Sequence, residues 1–274
     1  MKQRLISAGV GIALLIGLLF VYDSIAVPVV FSAIAILAVY ECWKAFKPGS
    51  VFYLIISAVT CLFTVFFHDK DILLILTVYL ILSGTIACID CSGSDRFGRA
   101  SSFVLFSLII IFGFKGFMYA RDAFCDRSDR IFILIMTLCL GWLCDTFALL
   151  FGKSFGKKKL SPYISPNKTV EGAVGGVLAT SILITILFYV YSVLFTNTFV
   201  QKNVVLSLIL YFSIGLFGSV IGIFGDLFAS YAKRSCGVKD FGNIMPGHGG
   251  ALDRIDSVLF TSMFMCIIVR YFFI

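Results

Sequence analysis

Asp253 and Asp256 stand three residues apart in the run Asp253-Arg254-Ile255-Asp256, directly after the Gly-rich stretch His248-Gly249-Gly250. Residues at i and i+3 share a helix face, so a helix starting after Gly250 would present both carboxylates together. The first amides of such a helix have no partner inside it and form an anion site. Carboxylates combined with phosphate oxygens are the usual environment of Mg²⁺. Just upstream, Ser230, Lys233, Arg234 and Lys239-Asp240 bring the cations that would neutralise phosphates. Asp226 follows Gly215, Gly218, Gly222 and Gly225. At ~100° per residue these positions project to one side of a helix. Asp226 therefore shares a strip of small residues that lets a neighbouring helix approach closely. The plainer roles are a structural ion pair with a lysine for Asp226 and a hydrogen-bonding loop residue for His248.

A further segment runs from Asp145-Thr146 through Phe151-Gly152-Lys153-Ser154-Phe155-Gly156, the lysines 157–159, and Ser161-Pro162 and Ser165-Pro166-Asn167-Lys168-Thr169 to Glu171-Gly172. Its Gly and Pro residues predict a compact loop. The lysine run suits a headgroup-facing or triphosphate-steering patch. Lys168, isolated among turn residues before a helix, is the better candidate for a defined phosphate contact. Together these residues indicate a metal-assisted phosphoryl-type site.

The elements that must position them follow from composition. Hydrophobic residues make up 60% of the 274, charged residues 14%, and mean hydropathy is +1.04. Soluble domains carry about 25% charged residues, so this chain cannot clothe a water-facing globule. Apolar runs of the length that crosses ~30 Å of hydrocarbon as a helix recur at 5–22, 25–40, 51–67, 72–90, 101–120, 131–151, 173–195, 204–229 and 257–273. They are continuous rather than alternating, which argues for helices and against a membrane barrel. The expected fold is an all-α polytopic membrane protein of about nine transmembrane helices, or eight if the first two runs merge. Residues 1–130 form N-terminal spans and 131–274 a C-terminal part holding the chemistry. With the N-terminus cytoplasmic, fifteen of the 22 Lys and Arg residues fall inside, five outside, and two (Lys115 and Arg270) within apolar runs. That is the expected inward bias of positive charge. It explains the net charge of +7 without a nucleic acid. Cys88-Ile89-Asp90-Cys91 has no second pair and is weak support for metal or redox work. The first run lacks a small-residue cleavage site and reads as a retained span.

The stretch 230–256 resembles the hallmark of the phosphatidate cytidylyltransferases, or CDP-diacylglycerol synthases. Ser230, Lys233-Arg234, Lys239-Asp240, Gly242, His248-Gly249-Gly250 and Asp253-Arg254-Ile255-Asp256 match that pattern at every spacing. Gly225-Asp226 and Ser165-Pro166-Asn167-Lys168-Thr169 through Glu171-Gly172 are similar to the family as well. After Asp145-Thr146 the family commonly has glycine, where this chain has Phe147. The resemblance implies attack by phosphatidate on the α-phosphorus of CTP, with release of pyrophosphate. It implies Asp226, Asp253 and Lys239 in catalysis, and Lys168, Ser230, Lys233, Arg234, His248, Gly249, Gly250 and Arg254 in substrate binding. Mg²⁺ would be required, held by Asp226 and Asp253 with Asp256 and Asp145, and K⁺ would serve as a second cation. The expected location is the bacterial inner membrane with the site facing the cytoplasm, among membrane lipids. The glycine strips leave room for a homodimer. Two other readings are a synthase acting on another lipid phosphate and an ion-coupled transporter. A transporter would need polar residues through the outer half of its spans and an inverted repeat, neither of which the sequence displays.

Overall fold

The computed structural model describes residues 9, 11, 13, 15–67, 71–90, 94–195, 204–244 and 249–273. Eight helices account for most of them: α1 (Ala26–Phe46), α2 (Phe52–Phe66), α3 (Ile72–Asp90), α4 (Ser94–Asp122), α5 (Arg127–Phe155), α6 (Val170–Leu194), α7 (Val204–Ser235) and α8 (Leu252–Ile268). A π-helical turn, Val269–Phe273, ends the described chain. The helical, polytopic expectation holds: seven helices among the described residues are long and apolar enough to cross a membrane, with Phe52–Phe66 shorter. The chain is an integral membrane protein. Of the first expected span, 5–22, residues 9, 11, 13 and 15–22 are described and the remainder lie outside the described residues.

The chain forms two compact units, residues 1–118 with 233–255 and residues 119–232 with 256–274. In the first, Phe31 packs edge-on against Phe114 and Phe117. Phe241, from the segment after α7, packs on Phe46 and Phe106. Lys115, a cation inside an apolar run, is buried and donates to the Phe67 carbonyl at 3.0 Å. A charge at that position is tolerated because its ammonium finds an acceptor.

The second unit has a core of Ile133, Met136, Leu140, Ile184, Tyr211 and Met265, with Phe188 stacked on Tyr211 at 3.7 Å. Its helices approach through small residues, as the glycine strip predicts. A Cβ at Gly218 would lie 2.8 Å from Leu140, and one at Gly225 would lie 2.7 Å from Phe260. Gly172 faces the Ala148 carbonyl and Gly175 the Phe151 ring, which brings α6 onto α5. Phe217 and Phe224, on the other side of α7, are 59% and 64% exposed. That inversion, with glycine inward and phenylalanine outward, is what a lipid-bathed helix requires.

The loop expected between α5 and α6 contains a small hairpin. Strand β1 (Lys159–Ser161) pairs antiparallel with β2 (Ser165–Thr169), matching Lys159 to Thr169 and Ser161 to Ser165. Two carboxylate and hydroxyl contacts fasten it. Glu171 accepts the backbone N–H groups of Lys157 at 3.0 Å and Lys158 at 3.1 Å. Thr169 caps α6 by accepting the Gly172 N–H at 3.1 Å, an N-cap arrangement that satisfies an otherwise orphaned donor.

Candidate active site

Polar side chains gather in one group in each unit. In the second unit, β2 delivers Lys168 between α5 and α7. Its ammonium pairs with Asp226 and lies 3.6 Å from Asp145. Ser257 Oγ donates to the other Asp145 oxygen at 3.1 Å, and the Ser257 N–H donates to Asp256 at 2.9 Å. Ser230 Oγ lies 3.5 Å from Asp226, one turn along α7. Burial alone would push the Lys168 ammonium down, but Asp226 and Asp145 outweigh it and hold the group above its ordinary lysine value. An ion pair of Asp226 with a lysine, the plainer role weighed from the sequence, is therefore present. It joins two carboxylates around one cation.

The first unit holds the second group. One Asp253 oxygen accepts Lys233 Nζ at 2.9 Å. The other accepts the backbone N–H groups of Phe241 at 2.9 Å and Gly250 at 3.0 Å. The Lys233 ammonium also sits 5.4 Å from the centre of the Phe241 ring, within range of a cation–π attraction. Glu41, at the far end of α1, accepts the N–H groups of Ala251 at 3.0 Å and Leu252 at 2.8 Å. Helix α8 does begin just beyond Gly250, as expected. Its leading amides are not open to a phosphate, however, because Glu41 and Asp253 already satisfy them. Gly249 turns the chain with a φ of 84°. Gly250 leaves room for Glu41, since a Cβ there would lie 2.5 Å from its carboxylate.

The remaining expected residues divide simply. Arg234, Lys239 and Arg254 are exposed. His248 lies outside the described residues. Asp226, Ser230 and Lys233 follow one another at helical spacing on α7, and Asp253 and Asp256 on α8. Each of these helices therefore carries members of both groups.

Lys168, Asp226, Ser230, Lys233, Asp253 and Asp256 fall in segments whose spacing matched the expected pattern, Glu41 does not, and a family comparison covers nearly the whole chain. The cytidylyltransferase family profile matches residues 2–272. The chain belongs to the cytidylyltransferase family. Over 146 residues it is 44% identical to the phosphatidate cytidylyltransferase of Staphylococcus saprophyticus. Over the same length it is 42% identical to those of Staphylococcus haemolyticus and Staphylococcus aureus. Each alignment covers 53% of this chain and 51% of the relative, so the chain spans about half the length of the curated relatives it matches.

For a cytidylyltransferase the donor set matters. Asp145, Asp226 and Asp256, with the Ser230 and Ser257 hydroxyls, are hard oxygen donors of the kind Mg²⁺ prefers. Among the described residues no three His, Cys, Asp or Glu side chains converge closely enough to form a complete metal cage.

Sequence reasoning missed Glu41 and Ser257, and named Glu171 in the family-like run without giving it a role. Glu41 follows directly on the apolar run 25–40 and reads as the start of a loop. Helix α1 instead continues to Phe46 and leaves Glu41 2% exposed. The available signal was the helical continuity of Glu41-Cys42-Trp43 with the preceding span. Ser257 and Glu171 act through backbone and side-chain contacts that carry no spacing signature.

Proposed function

We propose that this protein is a phosphatidate cytidylyltransferase, converting CTP and phosphatidate to CDP-diacylglycerol and pyrophosphate in phospholipid biosynthesis. The observation that carries this reading is the Asp145–Lys168–Asp226 group, whose Lys168 and Asp226 lie in segments that resemble the family pattern. The names of the Staphylococcus relatives supply the substrate pair.

A phosphatidate phosphate oxygen attacks the α-phosphorus of CTP. The new P–O bond forms as the bond from the α-phosphorus to the bridging oxygen breaks, and its electron pair leaves with pyrophosphate. The attacking phosphate is already ionised, so no side chain must remove a proton. The protein's work is to position the anions and neutralise their charge. Lys168, held charged between its carboxylates, would exchange a carboxylate partner for a phosphate oxygen. Lys233, Arg234, Lys239 and Arg254 add positive charge along α7, the following segment and the start of α8. Asp253 orients Lys233 and secures Gly250. Mg²⁺ would be held by Asp226 with Asp145 and Asp256, K⁺ serving as the second cation. When bound, it would offset charge on the phosphates and polarise the α-phosphoryl group.

The reaction would take place at the cytoplasmic face of a bacterial inner membrane, where phosphatidate can enter from the leaflet and CTP from the cytosol. The inward bias of Lys and Arg supports that placement. A homodimer would use a surface other than the α7 glycines, which pack inside the chain at Gly215, Gly218, Gly222 and Gly225. The test is to incubate purified protein with labelled CTP, phosphatidate and Mg²⁺. CDP-diacylglycerol and pyrophosphate are expected in equal amounts. Absence of both across varied lipid and salt conditions, or product only with an ether-linked lipid phosphate, would overturn the assignment.

A further inference from the structure

Lys47, Arg96 and Arg99 line one cavity of about 440 Å³, together with Gly49 and Ser50. None of them takes part in the site described above, and among the described residues no carboxylate lines the cavity. The turn that presents Lys47 is held in place. Lys47 adopts a φ of 49°, uncommon for a residue other than glycine, and its N–H donates to the Trp43 carbonyl at 2.9 Å. The Trp43 indole donates to the Ser50 carbonyl at 3.3 Å, and Ser50 Oγ accepts the Phe52 N–H at 3.2 Å. Arg96 and Arg99 stand in the first turns of the 29-residue helix α4, whose positive end adds to their charge. Asp95 beside them is exposed and does not line the cavity.

A second cavity, of about 370 Å³, has a mainly apolar lining that includes Leu80 and Gly84 of α3 and Phe97, Val104, Leu105 and Leu108 of α4. The two cavities share no lining residue but draw on adjacent residues of α4. Arg96 and Phe97 are chain neighbours, and Arg96 stands one turn before Ala100, which also lines the apolar groove. From Arg96 to Leu108 the helix rises about 18 Å, close to one leaflet of a hydrocarbon core ~30 Å thick. Three cations at one end and an apolar trough one leaflet deep have the dimensions and polarity of a phospholipid.

We infer that this groove binds one anionic glycerophospholipid of the surrounding bilayer. Its phosphate lies on Lys47, Arg96 and Arg99, and an acyl chain lies along α3 and α4. The cations alone would suit any phosphate; the apolar continuation selects a lipid. The inference is independent of the reaction proposed above and uses none of its residues.

The test uses the full chain, purified in neutral detergent, stripped of lipid and titrated with phosphatidylglycerol or phosphatidylcholine, with native mass spectrometry as the readout. One phosphatidylglycerol is expected to be retained in preference to phosphatidylcholine. The triple variant Lys47→Gln, Arg96→Gln, Arg99→Gln should weaken that binding at least about tenfold, and Arg96→Gln alone by a smaller factor. A side chain added at Gly84 meets nothing within 4 Å, so Gly84→Leu should fill the groove. It is expected to weaken phosphatidylglycerol binding while leaving thermal unfolding unchanged. Equal retention of the two lipids would overturn the inference. So would indifference to Gly84→Leu with displacement of the lipid by inorganic phosphate or CTP, which would mark a site for free anions.

Discussion

Glu41 accepts the backbone N–H of Leu252 at 2.8 Å, across 211 residues of chain. A carboxylate near the end of an early membrane helix thereby caps the helix that carries Asp253 and Asp256. The contact is buried, so the cap and the Gly-rich segment depend on each other. Disturbing either takes this acceptor from the Ala251 and Leu252 N–H groups.

Glu41→Ala should therefore destabilise the protein by about 1–3 kcal/mol, the cost of leaving buried donors unsatisfied. Glu41→Gln, which keeps one acceptor, should lose less. Thermal unfolding in detergent measures both. Gly250→Ala should resemble Glu41→Ala, because its methyl group would displace the same carboxylate. Unchanged unfolding in both alanine variants would remove Glu41 from this role.

Asp226 and Asp253 should separate under substitution. Asp226→Asn is expected to raise the Mg²⁺ concentration needed for half-maximal turnover by at least about tenfold, with little change in unfolding temperature. Asp253→Asn should lower the unfolding temperature as well, since its oxygens hold Lys233 and two backbone amides. Turnover measured across a Mg²⁺ series, alongside unfolding, distinguishes the two. A reversed pattern would make Asp253 the metal ligand and Asp226 the structural residue.

Lys168→Met leaves Asp145 and Asp226 facing each other without a cation. It should cost about 1–3 kcal/mol, less than a fully buried pair because all three side chains are partly exposed. Combining it with Asp226→Asn should cost less than the sum of the single changes, by at least about 0.5 kcal/mol. Strict additivity would show that the pair contributes nothing.

The same pair sets a pH dependence. The folded-state value of Lys168 is raised above its ordinary 10.5. Its stabilising contribution is therefore complete below that ordinary value and is lost as pH rises through the folded-state value. Unfolding temperature should show no loss traceable to Lys168 through the neutral and mildly alkaline range. Wild type should decline more steeply than Lys168→Met above about pH 10.5. Parallel curves for the two proteins throughout that range would contradict this.

Gly225→Val tests the glycine strip. Its added carbon would meet the Phe260 ring at 2.7 Å, and overpacking of this kind costs about 1–3 kcal/mol. Gly84→Val, facing open space, serves as the neutral control. Equal unfolding temperatures for the two variants would show that α7 and α8 do not depend on the close approach.

Helix type and membrane class were legible because a bilayer imposes them residue by residue. Each span must be apolar for the thickness of the hydrocarbon and must satisfy its own backbone, and both demands are met locally in sequence. The reactive segments were legible for a related reason. Asp226, Ser230 and Lys233 share a face by helical spacing, and Gly249 and Gly250 mark a turn. What spacing could not supply was partnership. Asp226 was expected on a glycine strip, but only the fold brings Lys168 to it from a hairpin and Asp145 from another helix. The amides before Asp253 were expected to await an anion, and the tertiary structure fills them with Glu41, far away in sequence. Periodicity decides which way a side chain points from its own helix. Which charge meets it there is set by the packing of distant segments, because a carboxylate or an amide removed from water must find its counterpart wherever the folded chain can bring one.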